Sequence, residues 1–349
     1  VKKMSLLFSL ILLFTFFSTA QTTEAAAKYS ETLLADSTKA YALTLTQTLL
    51  IDHINNQLQV LDLSTQQIVW SKKFPVVYDS QVLTNPLKII VITSENKKLK
   101  KVTISADGTI LSEQVFTHIK LTENLRISWA PAMNKDKEKL AVVSGGQVLL
   151  YEYPWKKPIA TLPYSLTEDK KYENTILKDV QLHTPYVVIK LTGDNSTQSQ
   201  DLYRILNITA KRAITIPAEW NVNTSFLVEG NELIVNSSSQ IGHPLGINVD
   251  SDYIIYAKYD LKTGEINNKV SRSFPTWDSN WNSDYFNRKL VLTESGENKI
   301  FLINQYGETL KEFPRTFGNF NYKTIGYDGN RLYLLVPSEG NGAELVSIL

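Results

Sequence analysis

Residues 58–75 read LQVLDLSTQQIVWSKKFP. An alternating apolar run, Leu58 to Leu61, meets the polar turn Asp62–Gln67. A second run, Ile68 to Phe74, follows and ends on proline. The period is two, so both halves are strands and the unit is a hairpin. Proline cannot donate to a ladder, which suits the end of an outermost strand. The unit recurs. KVTISADGTILSEQVF occupies 101–116, VLLYEYPWKKPIATLP 148–163, and LYRILNITAKRAITIP 202–217. IIYAKYDLKTGEINNKVSRSFP occupies 254–275 and IFLINQYGETLKEFP 300–314. Asp107-Gly108, Thr263-Gly264 and Tyr306-Gly307 supply turns in which glycine takes φ > 0.

The apolar end markers Phe74, Phe116, Leu162, Ile216, Phe274 and Phe313 are spaced by 42, 46, 54, 58 and 39 residues. A repeat of that length built of strands is the blade of a β-propeller. Two further strands precede each hairpin, as at Ser80–Leu83 with Lys88–Thr93 and at Tyr285–Phe286 with Lys289–Leu292. Four strands per unit is the blade count. Six complete units leave a last piece with three strands, Tyr322–Gly326, Arg331–Val336 and Glu344–Leu349. Tyr29–Leu34 is a spare strand ahead of the first unit. Pairing it with the last piece closes the ring and covers the terminal edges. The predicted fold is an all-β, seven-bladed propeller over 28–349, closed by an N-terminal strand. An open sandwich or two smaller β domains are the alternatives.

The two hairpins Leu61-Asp62-Leu63-Ser64-Thr65-Gln66-Gln67-Ile68-Val69-Trp70 and Tyr259-Asp260-Leu261-Lys262-Thr263-Gly264-Glu265 resemble the repeat of the pyrroloquinoline-quinone (PQQ)-like propeller superfamily. The first carries the full pattern, and the second lacks the tryptophan. The resemblance implies the fold. Enzymes of that superfamily carry a tryptophan in nearly every blade, an adjacent cysteine pair over the quinone, and carboxylates on a calcium ion. This chain keeps the motif tryptophan once, at Trp70, and has no cysteine. The likeness therefore points to the non-catalytic branch, whose members serve as scaffolds or binding proteins in the cell envelope.

The 349 residues carry a formal net charge of +1, so no strong field draws the chain to nucleic acid. Absence of cysteine excludes disulfides, thiolate metal sites and a cysteine nucleophile. At the N-terminus, Lys2 and Lys3 precede the apolar run Leu6–Phe17. Ser18-Thr19-Ala20 and Thr23-Glu24-Ala25 follow, both fitting small-x-small cleavage. Residues 1–25 read as a signal peptide cut after Ala20 or Ala25. The run is short for a spanning helix, and no second span follows. The expected product is extracytoplasmic, in a bacterium, and monomeric.

Chemistry is sparse. His53, His118, His183 and His243 form no short-range metal pair, and no Gly-x-Ser-x-Gly elbow occurs. Asp194-Asn195-Ser196 lacks the spacing of a calcium loop. Lys97-Lys98-Leu99-Lys100-Lys101 reads as an exposed edge with protective lysines. Asn195, Asn207, Asn223 and Asn236 head glycosylation sequons that a bacterium leaves silent. No catalytic residue, metal or cofactor is expected. The candidate ligand-binding set is positional: aromatics recur where blades join, at Tyr78, Tyr164, Trp220, Trp277 and Trp281. Asp278 and Asn280 lie among them, and His243 sits in the long segment 237–252. Tryptophan beside amides and carboxylates suits a sugar or a peptide. The expected function is an exported binding module for a protein or glycan. An extracytoplasmic enzyme with its site over the channel (hydrolase, lyase or degenerate quinoprotein) and a structural spacer are the alternatives.

Overall fold

The computed structural model describes residues 27–29, 38–122, 124–132, 137–164, 175–195, 198–220, 222–239, 252–273, 281–294, 297–318, 322–337 and 343–349. Its 28 strands form seven antiparallel four-stranded sheets, and among the described residues there is no α-helix. Six sheets are simple meanders. Blade 1 spans 38–73, blade 2 77–116, blade 3 126–163, blade 4 175–220, blade 5 222–273 and blade 6 281–314. Blade 7 takes three strands from 323–348 and its outermost from Ala27–Tyr29, which pairs Ala27 with Leu345 and Tyr29 with Ala343. Closure by an N-terminal strand is thus as expected, but the strand begins before Tyr29. Residues 30–34 of the predicted strand lie outside the described residues.

The core lies between blades, not within one. Seven apolar clusters occur, one at each junction of neighbouring blades. Between blades 1 and 2, for example, Leu49, Ile51 and Val60 pack on Ile89, Val91 and Val102. The two middle strands of each blade have sheet on both sides and a neighbouring blade on each face. They therefore read as continuous apolar runs, such as Leu332–Val336. Burying one Leu or Ile contributes about 1.5–3 kcal/mol, and each junction buries several.

The last hairpin turn of each blade carries the visible repeat. Asp62 accepts from the backbone N–H of Ser64 and Thr65, and Asp260 does the same for Lys262 and Thr263. Asn304 accepts from Tyr306 and Glu308. A left-handed residue closes every such turn in blades 1–6: Gln66, Gly108, Trp155, Lys211, Gly264 and Gly307. At Gly108 a side chain has no room, because a Cβ would sit 2.9 Å from the Trp70 ring of the preceding blade. The Trp70 Nε1–H donates to Ala106 O at 2.8 Å, so the tryptophan clasps blade 1 to blade 2. Gly264 receives Ile214 of blade 4 in the same way.

The basic run 97–101 is not an exposed edge. Lys98–Ser105 is the third strand of blade 2, paired on both sides. Strand alternation sends Lys101 inward, where it is buried, pairs with Glu138 and lies 5.1 Å over the Trp129 ring. Lys100 points the other way and bridges Glu95 and Glu113.

Candidate functional site

Antiparallel order places the connections between blades, and the loops between middle strands, at one end of the ring, the connector face. The first and last hairpin turns of each blade lie at the other end, the turn face. The innermost strands line the central channel: Thr38–Ala42, Val77–Thr84, Arg126–Ala130, Thr175–His183, Val222–Glu229, Trp281–Phe286 and Lys323–Tyr327.

Polar side chains tie these strands to the neighbouring blade at every junction. Asp79 accepts from Trp129 N at 2.7 Å, and Ser128 accepts from Leu182 N at 2.9 Å. Gln181 accepts from Val228 N and donates to Phe226 O. Asn236 donates to Ser283 O at 2.7 Å, and Asp284 accepts from Thr324 N and Lys323 Nζ, each at 2.6 Å. Thr48 donates to Ile325 O at 2.7 Å, and the Tyr41 hydroxyl reaches Ser80 O at 3.5 Å. Each bond satisfies a group that burial would otherwise strand.

Asp179 is used differently. A β-bulge precedes it, between Leu177 and Asp179, as one precedes Asp79. Bulges re-aim a side chain, and Asp179 meets Lys39 of blade 1 across the channel, Nζ to Oδ2 3.5 Å. The carboxylate of Asp179 holds the Lys39 ammonium above its ordinary range. On the turn-face side of this bridge the channel opens into a cavity of about 380 Å³, walled by Tyr41, Gln181, Ser225, Asp284, Tyr285 and Lys323 among others. Glu229 sits at its rim and also borders a second, radial groove of about 570 Å³ between blades 5 and 6.

Two groups near the bridge titrate in opposite senses. Burial pushes the Asp79 carboxyl up to about 6. Burial, with Lys39 nearby, pushes His53 down to about 4, and its Nδ1 faces Val77 O at 3.4 Å. For Asp79 the folded state holds the proton more tightly than the unfolded one. Its contribution therefore worsens as pH rises from about 4 to 6. For His53 the folded state prefers the neutral ring, so stability is lost as pH falls from 6.5 to about 4. The two oppose each other. Relative to the wild type, Asp79→Asn should tilt the profile of melting temperature towards a rise with pH, and His53→Asn towards a fall. Parallel profiles for all three proteins would refute the assignment.

Three of the candidate aromatics, Tyr78, Tyr164 and Trp281, pack between blades. Trp281, a member of the candidate ligand-binding set, is only 2% exposed and packs between blades 5 and 6, its ring 5.1 Å from Tyr253. Tyr78 packs between blades 2 and 3 and Tyr164 between blades 3 and 4, both half-buried. The backbone of Trp220 ends the outer strand Arg212–Trp220 of blade 4. Trp277, Asp278, Asn280 and His243 lie outside the described residues. Of the sequon asparagines, Asn236 is buried at a junction. Among the described residues no three His, Asp or Glu side chains converge as a metal cluster. No helix among them is long and apolar enough to cross a membrane. Sequence reasoning missed the cavity and groove of the turn face. The signal available was the run of two-residue turns such as Asn287-Arg288, whose positive φ values mark a tight hairpin.

Seven closed blades with one junction core each decide the architecture. The chain is a seven-bladed β-propeller. No family model matches it, and no curated protein does. Solved propellers do. The β-propeller domain of Cps50 (Swd1) from Myceliophteria thermophila aligns over 91% of this chain and 97% of that one, with 10% identity and a TM-score of 0.53. Hydrazine synthase from Kuenenia stuttgartiensis aligns over 94% and 99%, with 11% identity and a TM-score of 0.51. At that identity the likeness concerns the fold alone.

Proposed function

We propose that this propeller is an exported, non-catalytic module that binds a protein partner at a bacterial cell envelope, built on the PQQ-like plan. The observation carrying the reading is the use made of the channel's polar groups. Asp79, Asp284, Gln181 and Asn236 are committed to neighbouring blades, and Asp179 to Lys39. Such a channel is scaffold, and recognition falls to the rim and faces of the ring. Export rests on Lys2, Lys3 and the apolar run Leu6–Phe17. The PQQ-like plan rests on the Asp62-to-Trp70 hairpin, whose tryptophan joins two blades.

The test has two arms. Intact-mass measurement of protein recovered from the extracytoplasmic fraction should show loss of about 20 or 25 residues; a full-length chain would overturn export. Cross-linking in intact cells, read by peptide mass spectrometry, should join lysines of one face to one recurrent protein. Cross-links scattered over many proteins, or a turnover activity that survives purification, would overturn the binding reading.

A further inference from the structure

The groove between blades 5 and 6 has walls of opposite charge. Glu229 and Glu232 flank the two-residue turn Gly230-Asn231 of blade 5. Glu232 is neutralised by Lys258 at 3.1 Å, and Lys258 also donates to Gln305. Glu229 faces Arg288 at 4.0 Å, the outer limit of an ion pair. Arg288 stands at the apex of the opposing Asn287-Arg288 turn and is 84% exposed. Outward along the groove, Tyr306 is 70% exposed and Leu310 is 52% exposed. Tyr306 is held there by its turn, because Asn304 accepts from the N–H of Tyr306 and of Glu308. Inward, Glu229 lines both the groove and the channel cavity.

We propose that this groove on the turn face docks an extended peptide segment carrying a basic residue next to an acidic one. The peptide's cation would take Glu229 and its carboxylate would take Arg288, while an apolar neighbour covers Tyr306 and Leu310. The charge pattern selects this occupant. A neutral glycan would separate the Glu229–Arg288 pair and return no charge to either group. A uniformly acidic or basic chain would satisfy one wall and meet repulsion at the other. Tyrosine and arginine are the side chains that dominate protein interfaces, and the volume is within the usual range of ligand sites, roughly 300–1,000 Å³. The inference rests on the protein-binding reading and adds the place and the chemistry.

The test uses a displayed library of random dodecapeptides, panned on the mature protein, with enriched peptides measured by fluorescence anisotropy. Enriched sequences should pair Lys or Arg with Asp or Glu within a few residues. Tyr306→Ala should weaken them about tenfold or more, and Glu229→Gln and Arg288→Ala several-fold each. All three side chains are on the surface, so melting temperature should hold and serve as the folding control. The double exchange Glu229→Arg with Arg288→Glu should select peptides of reversed charge order. Enriched peptides that bind the variants as tightly as the wild type would overturn the groove while leaving the binding function standing. So would a failure to enrich any peptide when cross-linking finds a partner. Failure of both experiments would remove the function as well.

Discussion

Replacing Asp201 by alanine is expected to destabilise the protein by about 3–5 kcal/mol, the usual consequence of removing one partner from a buried ion pair. Asp201 is buried on the third strand of blade 4 and holds four donors. Thr192 Oγ1 donates to one oxygen at 2.6 Å. Thr224 N and Oγ1 donate to the other, at 3.1 and 2.6 Å, and Lys190 Nζ lies 2.9 Å from that oxygen. Thr224 belongs to the inner strand of blade 5, so the carboxylate ties two blades. Alanine would leave the mostly buried Lys190 ammonium without its anion, held by Thr224 O alone, and a backbone N–H without an acceptor. Asp201→Asn keeps the shape and some of the hydrogen bonds, so it should fall between alanine and wild type. Urea unfolding followed by circular dichroism measures both. A loss below about 1 kcal/mol for alanine would show that the site relaxes and lets water in.

Trp281→Ala should produce a loss of similar size, about 3–5 kcal/mol, typical of a large aromatic removed from a packed interior. The ring fills the junction of blades 5 and 6 with Tyr253, Ile255 and Leu292. Blades separate at such a junction only if its core yields, so the lesion lies on the ring's closure. Trp281→Phe keeps most of the contact and should recover more than half of the loss. The result decides between two roles for this tryptophan. A variant that melts with the wild type but loses partner binding would return Trp281 to a recognition surface.

The blade order was legible because strand periodicity and end prolines are local. Phe74-Pro75 and Phe313-Pro314 mark the ends of outer strands without reference to anything distant. Even the weak identity between repeats has a local cause. The turn needs a left-handed residue at one place, and glycine fills it at Gly108, Gly264 and Gly307, while Gln66, Trp155 and Lys211 accept the strain elsewhere. A search for repeated glycine therefore finds half of the turns. The closing strand was legible as a surplus, but its register was not, since three residue pairs leave little pattern to read.

The site was less legible. An aromatic at a blade junction reads the same whether it wedges or binds, because both roles ask for a flat apolar side chain. Trp281 shows the wedge. Likewise, Lys97 to Lys101 reads as one basic patch, yet the strand turns Lys100 and Lys101 to different partners.

By itself the sequence determined the number of blades, the hairpins within them, and the need for a strand from the N-terminus to complete the last. These follow from periodicity and turn chemistry, which act over a few residues. Only the tertiary structure decided which polar groups are structural and which are open. Lys39 and Asp179 are 140 residues apart and meet because the ring closes. Glu229 and Arg288 come from different blades and face each other across a groove that exists only once those blades are side by side.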